Sequence, residues 1–192
     1  MDRYLTFDTH INEISKKVTS TLLFINRAKN YFDRSTRHVI VHSLALSIIN
    51  YCITIWGTTN KTLIKSAQKL QNFAAKIVDG RSRKYDHVSP ILKELKWLNI
   101  QDTITFNIAA SVYKLLNNQY PNYLITLPTV NNVTQSNTRQ HNNLYVPKVR
   151  CDVAARALSV KGPKIWNRLP QNVRGANNIF SFKTKLKDSL LP

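Results

Sequence analysis

Apolar residues recur at helical spacing through the first two thirds of the sequence, and this spacing restricts the folds open to the chain. The clearest run repeats at intervals of about four and three residues and comprises Leu63, Ala67, Leu70, Ala74 and Ile77. Such a repeat forms a stripe along one side of a helix, whereas a half-buried strand requires strict alternation. We therefore predict helices over residues of about 8–32, 35–56, 60–78, 89–95 and 102–118.

Residues that favour helix ends stand beside these segments. The candidate N-caps, which accept hydrogen bonds from backbone N–H groups, are Asp8, Thr9, Ser35, Ser89, Asp102 and Ser181. Gly57 and Gly80 follow the second and third predicted helices. A glycine in the left-handed conformation ends many helices, so we expect both to adopt it.

The composition changes at residues 129–143, which are rich in Asn, Thr, Ser and Gln. Such a segment is typical of a loop or linker. We predict a helical bundle at 1–128, the polar linker at 129–143 and a small basic unit at 144–192. The predicted fold is mostly α, with at most one or two short strands, one of them in "LYVPKVR".

The C-terminal unit contains "VKGPKIWNRLPQNVR", residues 160–174. We predict a rigid turn at Gly162–Pro163 and then a short helix, which Trp166 and Leu169 anchor and Pro170 ends. We expect the basic side chains of this stretch to point outward. A terminal helix follows. Its inward residues are Phe182, Leu186 and Leu190, and its outward residues are Lys183, Lys185 and Lys187.

The chain is strongly basic, with 28 Lys and Arg against 10 Asp and Glu and a net charge of +18. This charge opposes compaction through self-repulsion, so a polyanionic partner is the natural explanation. Nucleic acid is the first candidate and an anionic membrane surface is the second. We expect RNA or DNA, bound without sequence preference, and no membrane.

The basic residues fall into five groups that are candidates for phosphate contacts. They are Lys61, Lys65 and Lys69; Arg81, Arg83 and Lys84; Lys148, Arg150 and Arg156; Lys161, Lys164, Arg168 and Arg174; and Lys183, Lys185 and Lys187. Each group alone is also compatible with an ordinary solvated face. Aromatic residues that are candidates for base stacking, or else for the core, are Tyr85, Tyr113, Tyr120, Tyr123, Tyr145, Trp97 and Trp166.

Motifs of catalysis are not found in the sequence. The acids include no adjacent pair and no Asp-x-Asp, and neither a GxSxG nor a GxxxxGK[ST] motif occurs. Two cysteines are too few for a cysteine-rich zinc site. We expect no catalytic residue, no metal site and no cofactor, and we interpret His42 as a core histidine and not a catalyst.

The longest apolar run, residues 39–56, is interrupted by polar residues, among them His42 and Asn50. We interpret it as a buried helix, with Cys52 as a small core residue, and not as a membrane span. The N-terminal sequence "MDRYLTFDTH" lacks a signal-peptide core. The expected location is intracellular, in the nucleus or cytoplasm, and not secreted.

Several blocks of the sequence match a known pattern in the same order. The first pattern is carried by Tyr51, Trp56, Gly57, Lys65, Leu70, Gln71, Asn72, Ala75 and Gly80. A closing signature is carried by Gly162, Pro163, Trp166, Asn167, Leu169, Pro170, Arg174, Phe182, Lys183 and Leu186. With these blocks the chain resembles the thumb and C-terminal region of reverse transcriptases from non-LTR, LINE-type (jockey-like) retrotransposons. The resemblance covers nearly all of the chain except 129–143.

This resemblance implies a fragment of an RNA-directed DNA polymerase without its active site. No position matches the family's palm aspartates or its Tyr-x-Asp-Asp turn, and the endonuclease domain has no counterpart. The thumb grips the template–primer duplex, so the resemblance implies duplex binding, for which we favour Lys61, Lys65 and Lys69. Two alternatives are a decayed or domesticated structural module, and a piece that works with a separate palm fragment.

Overall fold

The computed structural model describes residues 5–80, 86–121, 127–134 and 143–191, and these residues are mostly helical, as predicted. They form two compact units, one reaching to Thr103 and the other Ile104–Leu190. This division differs from the predicted one, which placed the boundary at 129–143. It falls early in a helix because the later part of that helix carries residues of the second unit's core.

The first unit is built from helices that follow one another closely. They are α1 (Asp8–Ala28), α2 (Arg34–Val41), α3 (Ser47–Asn50), α4 (Ile53–Trp56), α5 (Lys61–Asp79) and α6 (Ser89–Glu94), followed by the start of α7 (Ile100–Leu116). A 3₁₀ turn, Lys29–Tyr31, follows α1, and a π-helical turn, His42–Leu46, joins α2 to α3.

Helix α1 packs against α5, and four of its apolar residues are buried. The buried residues are Ile11, Val18, Leu22 and Ile25. The predicted cap at Asp8 or Thr9 was wrong: the residue before the helix is Phe7, in the left-handed conformation and without a side-chain cap. Asp8 lies inside the first turn, where its charge complements the helix dipole.

Helix α2 begins one residue before its predicted cap. The Asp33 carboxylate, not Ser35, accepts hydrogen bonds from the backbone N–H groups of Ser35 and Thr36. Hydrogen bonds from the side chains of Ser35 and Thr36, and from the backbone, lower the pKa of Asp33 from 3.8 to about 2. Asp33 therefore favours the folded helix only while its carboxyl is ionised.

Asp33 should make the stability of α2 depend on pH. Because its folded pKa is depressed, its contribution is complete above about pH 4 and disappears as the pH falls towards about 2. We expect Asp33→Ala to lower the thermal midpoint at pH 6 and to match the wild type near pH 2. Asp33→Asn keeps a capping oxygen that does not titrate, so its difference from Asp33→Ala should stay nearly constant with pH. A pH-independent gap between wild type and Asp33→Ala would contradict this prediction.

The second predicted helix is interrupted at Tyr51–Cys52. Tyr51 is extended, and Cys52 has φ 50°, in the left-handed region. The Trp56 indole Nε1 donates to the Tyr51 carbonyl oxygen at 2.9 Å, which satisfies a backbone group that the break leaves open. Two predictions were wrong here: Cys52 is exposed and not in the core, and Gly57 has φ −68° and is not left-handed.

Helix α5 matches its prediction closely. The Asn60 side chain accepts from the backbone N–H of Leu63 at 3.0 Å, and Gly80 ends the helix with φ 71°, which confirms its left-handed conformation. The buried face is wider than the predicted stripe, since Leu63 and Leu70 are only half-buried. Its residues are Ile64, Ala67, Gln71, Ala74, Ala75, Ile77 and Val78.

In its described residues, the second unit contains the rest of α7 and five shorter helices. They are α8 (Val130–Thr134), α9 (Asp152–Ala155), α10 (Leu158–Trp166), α11 (Gln171–Arg174) and α12 (Ile179–Leu190). In place of the predicted short strand, one antiparallel bridge joins Thr129 to Leu144.

Three aromatic rings form the centre of the second unit. Tyr113 on α7 and Phe182 on α12 stack with ring centroids 4.5 Å apart, and Trp166 on α10 lies 5.8 Å from Phe182. The Tyr113 hydroxyl donates to the carbonyl oxygen of Ala176 at 2.8 Å, so its polar atom is satisfied inside the core. Trp166 and Leu169 are buried, as the predicted anchoring role requires.

The predicted turn at Gly162–Pro163 was wrong, because both residues lie buried inside α10. Pro170 does not end this helix, which finishes at Trp166; it precedes α11 instead. Ser181 does not cap the terminal helix either: the Asn178 side chain accepts from the Ser181 N–H at 2.8 Å.

Two further predicted caps were shifted. Ser89 is the first residue of α6, which follows Val88. The Asn99 side chain accepts from the Asp102 N–H at 2.8 Å, so Asp102 lies within the first turn of α7.

Gly162 is required because α10 lies tightly against α7. A Cβ atom at this position would lie 2.9 Å from Val112 Cγ2, and Val112 is fully buried. We expect Gly162→Ala to destabilise the protein by about 1–2 kcal/mol despite the better helix propensity of alanine. Combined with Val112→Ala, it should cost less than the sum of the two single changes, by about 1 kcal/mol. If the changes in the free energy of unfolding, measured with urea, are additive in the double variant, the close contact is contradicted.

Candidate nucleic-acid interface

The lysines of α5 form an exposed row on one side of the helix. Lys61, Lys65 and Lys69 are all exposed, as predicted. Their four-residue spacing places successive lysines ~6 Å apart along the helix axis. The row therefore presents three exposed ammonium groups along about two turns of a helix that is capped at both ends.

A cleft of about 740 Å³ opens beside this row in the first unit. Its lining residues are Lys61, Ile64, Lys65, Gln68, Asn72, Asp86, His87, Val88, Ser89, Leu92, Asn99 and Gln101. Lys61 and Lys65 belong to both the row and the cleft, whereas Lys69 belongs to the row alone. The volume lies within the range of small-molecule sites.

A network of amides holds the inner wall of the cleft. Gln68 donates from Nε2 to Gln71 Oε1 at 2.9 Å and to Asn72 Oδ1 at 2.8 Å. Its carbonyl oxygen accepts from the backbone N–H of Ile100 at 2.8 Å. The buried Gln71 in turn donates to the Leu98 carbonyl oxygen at 2.8 Å. These bonds fix the orientation of the amides before any ligand arrives.

Asn99 and Asp102 close the network at the start of α7. The Asn99 Nδ2 donates to the Asp102 carboxylate at 2.6 Å. Burial raises the pKa of the Asp102 carboxyl, and the hydrogen bond from Asn99 opposes that rise. Asn99 therefore uses both ends of its side chain within the protein.

Most basic residues of the second unit point outward, as predicted. The exposed side chains are those of Lys148, Arg150, Lys164, Arg168, Lys183, Lys185 and Lys187. Lys185 donates to the Asn172 carbonyl oxygen at 3.3 Å. Such side chains remain available for long-range attraction of a polyanion.

Three basic residues are less accessible than the sequence indicated. Lys161 is half-buried; burial lowers its pKa below the ordinary value, and the charge of Arg156 lowers it further. Arg156 is itself half-buried. Arg174 is also half-buried, and its Nη1 donates to Asn143 Oδ1 at 3.1 Å. The expectation that all basic side chains of residues 160–174 point outward was therefore wrong for Lys161 and Arg174.

The remaining predicted group, Arg81, Arg83 and Lys84, lies outside the described residues, as do Tyr85 and Tyr123.

Two of the aromatic candidates have core roles. Tyr113 and Trp166 are buried in the second unit and cannot stack on a base in this conformation. In the first unit, Trp97 donates from Nε1 to His38 Nε2 at 3.1 Å. Lys114 lies over the Tyr120 ring, with Nζ 5.7 Å from its centroid. These contacts favour the structural alternative for the residues concerned.

The amides of the cleft were missed at the level of sequence. Lys61, Lys65, Gln68 and Asn72 recur at helical spacing beside the apolar stripe, and that spacing was the available signal.

The structure adds two findings about other kinds of site. Among the described residues, no group of three or more His, Cys, Asp or Glu side chains is placed to hold a metal ion. Within the same residues, every helix is too short or too polar to cross a membrane. His42 is exposed, so its interpretation as a core histidine was wrong.

Comparison with known proteins gives no relative. No protein-family model matches the chain, and no curated protein or solved structure matches it.

Proposed function

We propose that this chain binds RNA or DNA without sequence preference, through exposed basic helix faces. The observation that carries the proposal is the row of Lys61, Lys65 and Lys69, exposed together on α5 in a chain with a net charge of +18. Each lysine that neutralises a phosphate releases condensed counterions, and this release drives binding at moderate salt. Duplex or RNA–DNA hybrid is the proposed partner because a rigid row suits a regular backbone.

The resemblance to non-LTR retrotransposon reverse transcriptases supports the same function. Under this proposal the chain is a non-catalytic fragment of the thumb and C-terminal region, acting in the nucleus or cytoplasm. The buried positions of Trp56, Gly57, Gly162, Pro163 and Trp166 favour a structural role for the signature residues. Binding then falls to the basic side chains around them.

The test is the binding of the purified chain to an RNA–DNA hybrid across a salt series, measured by fluorescence anisotropy. Three phosphate contacts predict that log K falls with log salt with a slope of about −3 or steeper. No binding at low salt, by protein shown to be folded by circular dichroism, would overturn the proposal. That outcome would favour the decayed or domesticated structural module. Polymerase activity restored by adding a palm fragment would instead identify a two-piece enzyme.

A further inference from the structure

The cleft beside α5 combines features that a simple phosphate-binding face does not need. The part of α5 that lines it carries the exposed Lys61 and Lys65 and, farther along the helix, the half-buried Gln68 and Asn72. Apolar side chains are present as well, from Ile64 on the same helix and from Val88 and Leu92 at α6. Cations, oriented amides and an apolar surface therefore line one cavity of about 740 Å³.

Asn72 supplies a donor of fixed direction. Its Oδ1 accepts from Gln68 Nε2 at 2.8 Å, and Gln68 is itself held by Ile100 N–H and Gln71. The oxygen of the Asn72 amide is thus turned towards Gln68. Its Nδ2 group has no acceptor among the described residues, so two N–H bonds remain for a ligand in the cleft.

The charge of the lining favours an anion at one end. Counting only Lys, Arg, Asp and Glu, the described lining residues include Lys61, Lys65 and Asp86 and so carry a formal net charge of +1. Asp86 is not on α5 but in the segment that leads into α6. An anionic group near the two lysines is therefore attracted more than it is repelled.

We propose that this cleft binds a nucleoside monophosphate unit. The phosphate lies on Lys61 and Lys65, the base packs against Leu92 and Val88, and the Asn72 amide donates to an acceptor on the base edge. The unit comes either from an unpaired nucleotide of a bound strand or from a free mononucleotide. This inference rests on the proposed function, which it deepens by naming what binds beside the lysine row.

The first experiment titrates the full chain with adenosine 5′-monophosphate, and then with the other three nucleoside monophosphates, by isothermal titration calorimetry. We expect at least one of them to bind with a Kd below about 1 mM. The matching nucleoside and inorganic phosphate should each bind at least ~10-fold more weakly, since each lacks half of the contacts. Phosphate that binds as tightly as the nucleotide would overturn the proposal, because it would reveal an anion site only.

Substitutions place the binding in the cleft. Leu92→Trp fills the cavity, Asn72→Ala removes the donor, and Lys65→Ala removes one cation; each should weaken nucleotide binding by ~10-fold or more. The matched control is Lys93→Ala, which removes an exposed lysine that does not line the cleft. Equal losses in Lys65→Ala and Lys93→Ala would overturn the assignment. Circular dichroism identifies any variant that fails to fold. If the larger substitutions unfold the protein, the nucleotide affinity of Asn72→Ala, the smallest change, decides whether the cleft is the site.

A hybrid with one unpaired 3′ nucleotide distinguishes the two sources of the ligand. If it displaces the mononucleotide more effectively than a blunt hybrid does, the cleft takes a nucleotide of the strand. Equal displacement indicates a site for the free mononucleotide. Blunt-hybrid binding also separates the two proposals: a chain that binds hybrid but no mononucleotide keeps the proposed function and loses this one.

Discussion

Reversing the charge of Lys61, Lys65 and Lys69 to glutamate is expected to weaken RNA–DNA hybrid binding by about 10²–10³-fold at 0.1 M salt. The loss is large because three phosphate contacts disappear. Each contact multiplies the binding constant by a factor that grows as the salt concentration falls. The slope of log K against log salt should become shallower by about 3. Fluorescence anisotropy across a salt series measures both quantities in one experiment.

Helix α1 offers a matched control for this triple substitution. Lys16, Lys17 and Arg27 are exposed on one helix, and their reversal changes the net charge by the same amount. We expect this variant to lose less than ~10-fold in affinity, because only the long-range attraction is reduced. If both variants lose hybrid affinity equally, the α5 row is not the binding face, and net charge alone explains the affinity.

Phe182→Ala is expected to cost about 3–5 kcal/mol in the free energy of unfolding. Phe182 is 0% exposed and contacts both Tyr113 and Trp166, so its removal leaves a cavity bounded by two rigid rings. Such a loss is a large part of the stability of a small unit. Urea unfolding followed by circular dichroism measures the total, and hydrogen exchange in α10 and α12 reports the second unit.

Phe180 provides the control on the same helix. Its side chain is 79% exposed, and it is two residues from Phe182. Phe180→Ala removes the same atoms from solvent-exposed positions, so we expect a change below about 0.5 kcal/mol. A comparable loss in both variants would show that the aromatic cluster is not the centre of this unit.

Helix α5 shows what the sequence predicts well. Its apolar spacing gives the type of element, and Gly80 gives its end, because both signals act within a few residues. The predicted range of about 60–78 differs from the observed Lys61–Asp79 by a single residue at each end. The exposure of its lysine row follows from the same periodicity.

The break at Tyr51–Cys52 shows what the sequence conceals. The run contains neither glycine nor proline at this point, so no local signal marks an interruption. The conformation depends on Trp56, which is buried and donates to the Tyr51 carbonyl oxygen. Packing of the indole offsets the cost of a left-handed cysteine, and such packing is not visible as a local propensity.

The reverse error occurred at Gly162–Pro163, where local propensity favours a turn and the chain forms a helix. Packing against Val112 decides the conformation there. The candidate site divides in the same way. Outward lysines follow from periodicity, whereas the position of the half-buried Arg174 depends on a neighbour distant in the sequence, since its Nη1 donates to Asn143 Oδ1.

The two cysteines have a practical consequence. Cys52 belongs to the first unit and Cys151 to the second, both are exposed, and the sequence has no third cysteine. Maleimide dyes will therefore attach once to each unit of the unaltered chain. Energy transfer between a donor and an acceptor at these thiols reports the separation of the units in solution, and its change on adding hybrid reports whether binding moves one relative to the other.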